Sequence, residues 1–156
     1  MWSLERRHFF WLPVVLLGAA GLASLRAATF TVTNTADAGP GSLRVAISNA
    51  NFIVGSDVIA FAIPGSGPYT INVATILPSV LEPVTIDGTT QAGYSGKPLI
   101  ALDGAAAGFG SGIYLLTSNS VVKGLAVSRF AREGIRVETH GGNVIQGNFI
   151  GPGPFG

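Results

Sequence analysis

The sequence predicts an all-β fold, a right-handed parallel β-helix with a short capping α-helix near its N-terminus. Three observations support this prediction. Val, Ile, Thr, Gly and Asn are frequent while only 11% of residues are charged, which suits short strands joined by tight turns. A strand-turn-strand pattern recurs at a spacing of 22–23 residues over 112–151, as in stacked repeats. After the N-terminal segment, a single stretch has helical periodicity.

Residues 1–28 are predicted to be an export signal. An Arg-Arg pair precedes an apolar run over 12–23, and small residues follow it. A basic segment, an apolar run of about 7–15 residues and a small-residue exit define a secretory signal. Ala23, Ala27 and Ala28 are possible cleavage positions. A cut after Ala23 puts small residues at both recognised positions, whereas a cut after Ala27 puts Leu25 at one of them. A membrane anchor is the alternative, but a spanning helix needs about 20 apolar residues.

The overall composition excludes several classes of function. The chain has no cysteine, which excludes a disulfide scaffold, a thiolate metal site and a cysteine nucleophile. The net charge is +1, and the sequence lacks the stripe of basic residues that would indicate nucleic-acid binding. We therefore expect a secreted or cell-surface protein that meets the membrane only through its export signal.

Residues 29–57 are predicted to form an N-terminal strand and a capping helix. Alternating β-branched residues predict a strand over 29–34. A helix is predicted over 42–51, with Ser42 as its N-cap. Its apolar stripe consists of Leu43, Ala46, Ile47 and Ala50. A short helix at this point is well placed to cover the open apolar end of a solenoid, which would otherwise invite aggregation.

Residues 58–156 are predicted to form the first turns of the β-helix. Gly112-Ile113 recurs as Gly134-Ile135, and Val122-Lys123-Gly124 recurs as Ile145-Gln146-Gly147. No second helical pattern separates the strands, which argues against alternating βαβ units. The predicted strands are 58–63, 69–73, 84–86, 99–102, 113–116, 121–127, 135–137 and 144–150.

Four stretches resemble a family of bacterial exported β-helix proteins with a pectin-lyase-like architecture. They are GSLRVAI at 41–47, FTVTNTADAGPGSLR, VTIDGTTQAGYSG and GGNVIQGNFIG. The N-terminal segment of that family often reads Cys-Ser-Leu-Arg-Glu-Ala-Ile, and Gly41 and Val45 replace its Cys and Glu here. The resemblance covers about 29–151. It implies a large surface or secreted protein with further turns after 151, so we expect the chain to be truncated at its C-terminus.

The expected function is that of a secreted or cell-surface structural or interaction segment. It would be the N-terminal portion of a larger adhesin-like protein, with no catalytic activity of its own, and further turns of that protein would be its partner. Two alternatives remain: the N-terminal part of a polysaccharide lyase or hydrolase, and a carbohydrate-binding β-helix module. The residues do not assemble a nucleophile with a base and an orienting group.

Asp87 and Asp103 are the acidic residues with the best case for chemistry. Each follows a strand and precedes glycine, so stacked turns could align their carboxylates to bind calcium or to serve a lyase or hydrolase site. The favoured interpretation is a turn aspartate that accepts hydrogen bonds from its own backbone. Calcium prefers about 6–8 oxygen ligands, and two aspartates supply too few of them for a strong site. No other cofactor is predicted.

Basic residues cluster in the second half of the chain and could contact polysaccharide or cell-surface glycans. The candidates are Lys123, Arg129, Arg132 and Arg136. Because Glu133 and Glu138 are interspersed, a solvated surface is the favoured interpretation. His140 has no second ligand residue nearby in the sequence and is poor evidence for a metal.

Two structural roles are also predicted for polar residues. Arg44, on the capping helix, should pair with an acid such as Asp37 or Asp57. Asparagines near the repeating turns could stack as a hydrogen-bonded ladder. These are Asn119, Asn143 and Asn148.

Overall fold

The computed structural model describes residues 27–138, 141–151 and 153. Residues 1–26 of the predicted export signal and His140 lie outside the described residues. One helix, α1, covers Leu43–Ala50, and a 3-10 turn covers Gly88–Thr90. The strands are β1 (Thr29–Val32), β2 (Asp57–Phe61), β3 (Tyr69–Asn72), β4 (Val84–Asp87), β5 (Ile100–Asp103), β6 (Ile113–Leu115), β7 (Val121–Lys123), β8 (Leu125–Ser128), β9 (Ile135–Val137), β10 (Val144–Gln146) and β11 (Phe149–Gly151).

The strands stack in parallel as a solenoid of about four turns. The first sheet has the order β1-β2-β4-β7-β10, and the second has the order β11-β8-β5-β3. The third sheet pairs β6 with β9. From β5 onward, consecutive strands belong to successive sheets, and each sheet gains one strand per turn. The all-β parallel solenoid predicted from the sequence is confirmed.

The length of a turn is regular only in the second half of the described chain. Ile113 pairs with Ile135 in the third sheet, and Ser120 and Asn143, 23 residues apart, are joined by a hydrogen bond. In the earlier turn, Thr85 pairs with Val121, a wider spacing that accommodates longer connections. The predicted repeat over 112–151 therefore corresponds to the last two stacked turns.

Two segments predicted as single strands are each two strands joined at a glycine. Gly124 separates β7 from β8 with φ 68, and Gly147 lies between β10 and β11 with φ 60. This left-handed conformation is inexpensive only for glycine among common residues. It turns the chain from the first sheet into the second, a corner that strand periodicity alone does not reveal.

The core consists of apolar side chains stacked on equivalent side chains of the next turn. In the first sheet Ile59, Ile86 and Val122 are neighbours in register and fully buried. In the second sheet Ile71, Leu102 and Val127 repeat this arrangement. Burial of each such side chain contributes about 1.5–3 kcal/mol, so every added turn extends one continuous core.

Helix α1 packs against the strands at the N-terminal end of the solenoid. Ser42 is its N-cap, with its Oγ accepting a hydrogen bond from the Val45 amide at 3.3 Å, and Asn51 is its C-cap. Its four predicted apolar residues are buried in the same core cluster as the strands. Among the described residues, no helix has the length and apolar character needed to cross a membrane.

Side-chain amides join successive turns where the strands end. Asn148 Nδ2 donates to the Val122 carbonyl at 2.8 Å, and its Oδ1 accepts from the Leu125 amide at 3.0 Å. Asn143 spans Thr117 and Ser120 in the same manner. These asparagines bind the backbone of the preceding turn, and Asn119 instead adopts a left-handed turn with φ 57. The predicted ladder of asparagine side chains is therefore wrong.

The same two-sided contact occurs twice earlier in the chain. Gln91 binds both the amide and the carbonyl of Ile63, each at 2.9 Å. Asn51 donates to the Ser79 carbonyl and accepts from the Leu81 amide, both at 2.8 Å. Each amide satisfies one donor and one acceptor that no strand ladder reaches, which matters because unpaired buried backbone groups are costly.

We predict that Gly112→Ala destabilises the protein by about 1–3 kcal/mol, the usual cost of overpacking. A Cβ at this position would collide with the Gly134 carbonyl oxygen of the next turn and with Val127. Gly141→Ala is the matched control, because a Cβ there meets nothing within 4 Å. Urea unfolding checks this; equal midpoints for the two variants would contradict the close stacking of Gly112 on Gly134.

Candidate functional site

Asp87 and Lys123 form an ion pair between neighbouring turns. They lie opposite each other at the ends of β4 and β7, and Lys123 Nζ lies 2.9 Å from Asp87 Oδ2. The other carboxylate oxygen, Oδ1, accepts from the Thr89 amide at 3.0 Å. Asp87 therefore closes its own Asp-Gly turn, as the sequence favoured, and also fixes a cation of the next turn.

Asp103 and Arg129 form the corresponding pair in the second sheet, where Asp103 ends β5 and Arg129 directly follows β8. Arg129 Nε donates to Asp103 Oδ1 at 2.9 Å, and its Nη2 donates to Oδ2. Asp103 Oδ1 also accepts from the Ala105 amide at 3.0 Å. The aspartate side chain is 5% exposed and the arginine side chain is 49% exposed. A buried carboxylate is thus neutralised by a cation that reaches it from the surface.

The expected alignment of Asp87 with Asp103 does not occur. Asp87 ends a strand of the first sheet, whereas Asp103 ends a strand of the second sheet in the same turn. Each aspartate has a lysine or arginine above it instead of a second acid. Within the described residues, no group of three or more His, Cys, Asp or Glu side chains could hold a metal ion.

Both aspartates are held in their charged form. Burial raises the pKa of Asp87, but hydrogen bonds from Thr89 and Lys123 outweigh it and bring the pKa below its ordinary value. The bidentate hydrogen bonds from Arg129 lower the pKa of Asp103 against the opposing effect of burial. Neither carboxyl group is tuned to accept or release a proton near neutral pH, as a general acid or base requires.

The two other predicted glycan contacts lie over aromatic rings. The Arg132 guanidinium is 5.5 Å from the centre of the Phe109 ring, and that of Arg136 is 4.8 Å from the centre of the Tyr114 ring. Both arginines also approach acids: Arg132 is 3.7 Å from Glu133, and Arg136 is 3.1 Å from Glu138.

The four predicted basic residues therefore do not form one patch. Lys123 belongs to the first sheet and Arg136 to the third, while Arg129 and Arg132 lie in the connection after β8. Each has a carboxylate partner. Contact with an acidic glycan stays a prediction for these residues, and it would have to compete with the existing ion pairs.

Arg44 forms an ion pair with Asp37, one of its two predicted partners. Its Nη2 lies 2.7 Å from Asp37 Oδ1, and its guanidinium also donates to the carbonyls of Thr75 and Ile76. Arg44 thereby fastens α1 to the connection that follows β3. Asp57, the other candidate, is buried at the start of β2 and accepts from the Ala28 amide at 2.8 Å.

Two cavities lie at opposite ends of the described solenoid. The first, of about 190 Å³, lies between β1 and α1. The second, of about 200 Å³, lies beside β8 and β11 and is lined by residues that include Ser128, Arg129 and Arg132. Within the described residues, the buried Ser128 hydroxyl has no hydrogen-bond partner. Both cavities are grooves at ends of the stack and hold no catalytic grouping of side chains.

Sequence reasoning missed the aromatic partners and the buried carboxylate. Tyr114 lies opposite Arg136 in the third sheet, and its hydroxyl donates to Glu138. The repeat of 22 residues contained this signal, since it places the two residues at equivalent positions. Asp57 carried no such signal, because its role depends on which backbone atom the first turn brings beside it.

No protein-family model matches the chain, and a search of curated proteins found no match to it either.

We predict that Asp103→Asn lowers the free energy of unfolding by about 1 kcal/mol at pH 7, a modest value because Arg129 is half-exposed. The pKa of Asp103 is lower in the folded chain than its ordinary value. This contribution is therefore fully present above the ordinary aspartate value of about 3.9 and is lost as the pH falls through the lowered pKa.

Urea unfolding at several pH values measures this effect. The difference between Asp103→Asn and the unmodified protein should shrink as the pH falls below about 3.9. Glu82→Gln is the control, since Glu82 belongs to none of these ion pairs. A difference that is unchanged down to the acid limit would contradict the assigned role of the Arg129 ion pair.

Proposed function

We propose that the chain is the capped, N-terminal segment of a secreted or cell-surface β-helix protein with a structural or interaction role. The main support for this proposal is that one end of the solenoid is covered and the other is not. Helix α1 buries its apolar face against the first turn, whereas the last described turn leaves its inward positions uncovered. Solenoids extend by adding turns to such a face.

The uncovered face continues the two main stacks of the core. Ile145 lies in register with Val122, and Ile150 lies in register with Val127. Their counterparts are fully buried, yet Ile145 is 39% exposed and Ile150 is 54% exposed. Strands β10 and β11 also offer unpaired backbone edges, which are templates for a further parallel strand. The partner that fits this surface is another turn of the same solenoid.

The proposed secreted or cell-surface location rests on the predicted export signal and on the resemblance to bacterial β-helix proteins with a Cys-Ser-Leu-Arg-Glu-Ala-Ile motif. The basic, apolar and small-residue segments of 1–28 support transfer across a membrane. The GSLRVAI stretch at 41–47 coincides with the start of α1, the position that a capping motif would occupy. A pectin-lyase-like architecture is part of this proposal.

The proposal assigns no catalytic activity to residues 27–156. Asp87 and Asp103 are neutralised by cations and lie in different sheets, so they do not form the paired carboxylates of a glycosidase. Interaction with acidic surface glycans is a secondary role, for which Arg132 and Arg136 on their aromatic rings are the candidate contacts.

We predict that the protein self-associates through its open end. The mass measured by light scattering should rise with concentration, and Ile150→Lys should reduce this rise by placing a charge on the exposed apolar face. Ile76→Lys is the matched control, since Ile76 is exposed but lies outside β10 and β11. A protein that remains monomeric at every concentration would contradict the role given to this face.

Export and the absence of catalysis are tested with the full chain in a bacterial host. We expect the protein outside the cytoplasm, and we expect the Leu16→Arg/Leu17→Arg double variant to remain inside because its apolar run is broken. The exported protein should not cleave pectin or alginate. Cytoplasmic retention of the unmodified chain would refute the location, and measurable turnover of either glycan would favour the lyase or hydrolase alternative.

A further inference from the structure

We propose that cleavage of the export signal between Ala27 and Ala28 creates an ammonium group that binds the buried carboxylate of Asp57 and so fastens the first strand to the solenoid. This inference rests on the export part of the proposed function. It goes beyond that function by assigning the cleavage position and a binding site for the new N-terminus within the fold.

Asp57 is a buried carboxylate with one of its two oxygens hydrogen-bonded. The residue is 1% exposed, and its Oδ1 accepts from the Ala28 nitrogen at 2.8 Å. Its Oδ2 is buried and, among the described residues, has no hydrogen-bond partner. A buried charge is costly unless it is paired and hydrogen-bonded. The site therefore calls for a cation with more than one donor.

The atom already beside Asp57 can become that cation. As a peptide nitrogen, Ala28 N has one hydrogen and satisfies one carboxylate oxygen. As the α-ammonium group of a mature chain, it would carry three donors and a positive charge, enough to satisfy both Oδ1 and Oδ2. No side chain in the described part of the molecule has to move into the site.

Main-chain pairing fixes the position of this nitrogen. The Ala28 carbonyl accepts from the Val58 amide at 2.8 Å, and Thr29 then pairs with Val58 in the parallel ladder of β1 and β2. The Asp57 amide in turn donates to the Pro83 carbonyl at 3.1 Å. The carboxylate and the nitrogen are thus held on two paired strands, so loss of the preceding residues leaves their geometry in place.

The cleavage is an ordinary peptide hydrolysis. Water adds to the Ala27 carbonyl carbon, and the bond from that carbon to the Ala28 nitrogen breaks. Ala27 leaves with the signal as a carboxylate, and Ala28 keeps the nitrogen as an ammonium group. The peptidase of the exporting membrane supplies the catalysis before the chain folds. A cut after Ala23, which the small-residue rule favours, would instead leave an amide at Ala28.

Mass spectrometry of the exported protein tests the cleavage position. The inference expects a chain that begins at Ala28. A chain that begins at Ser24, or at Thr29 as the predicted 1–28 boundary would give, would overturn the inference and leave export intact. An unprocessed chain in the cytoplasm would refute export itself, and with it the cleavage on which the inference depends.

Chemical reactivity tests the ion pair in the protein that begins at Ala28. The N-terminal amine is acetylated with acetic anhydride at neutral pH, and mass spectrometry follows the N-terminal peptide. We expect acetylation to be about tenfold slower in the folded protein than in urea, since a paired amine reacts only after local opening. Asp57→Asn should remove this protection. Asp37→Asn is the control, because Asp37 holds Arg44 of the same cap but does not bind Ala28.

A second comparison avoids dependence on the folding of Asp57→Asn. A chain that retains Ala27 has an amide at position 28 and an N-terminus one residue farther from Asp57. It should unfold at a temperature lower by about 5 °C, the shift typical of losing one strong interaction in a domain of this size. Equal unfolding temperatures for the two chains, or equal amine reactivity in the folded and unfolded states, would overturn the inference.

Discussion

Parallel stacking of each turn on the preceding one is the constraint on which the rest of this solenoid depends. It places Ile59, Ile86 and Val122 in one line, so apolar contacts form between equivalent positions of successive turns. From β5 onward, the chain then returns to the same three sheets at every turn. Tight corners at Gly124 and Gly147 satisfy this requirement, because their left-handed conformation redirects the chain within one or two residues.

Stacking also decides how polar groups are satisfied. Strand ladders pair the backbone within the sheets but leave donors and acceptors free at the corners, where Asn51, Gln91, Asn143 and Asn148 bind the neighbouring turn. The same geometry places oppositely charged side chains of successive turns next to each other, as for Asp87 and Lys123. Residues that resemble catalytic or glycan-binding groups in the sequence are thereby used in holding turns together.

The sequence predicted the features that repeat and failed on those that depend on register. The helix cap at Ser42, the strands and the 22–23-residue period follow from local patterns. The expected alignment of Asp87 with Asp103 was wrong because their similar Asp-Gly turns end strands of different sheets. The choice of Asp37 over Asp57 by Arg44 required knowing which residues the first turn brings together.

Stacking leaves an apolar face at each end of the solenoid, and the two ends differ in how that face is covered. At the C-terminal end, Ile145 and Ile150 are partly exposed, and no further turn covers them within the described residues, which favours extension. At the N-terminal end, α1 covers the core, but β1 remains an edge strand whose outermost fixed point is the Ala28 nitrogen at Asp57. In our proposal, a positive charge on that nitrogen would bind Asp57 and hold β1 at this edge of the first sheet, so cleavage of the signal would add an ion pair to the cap that α1 forms.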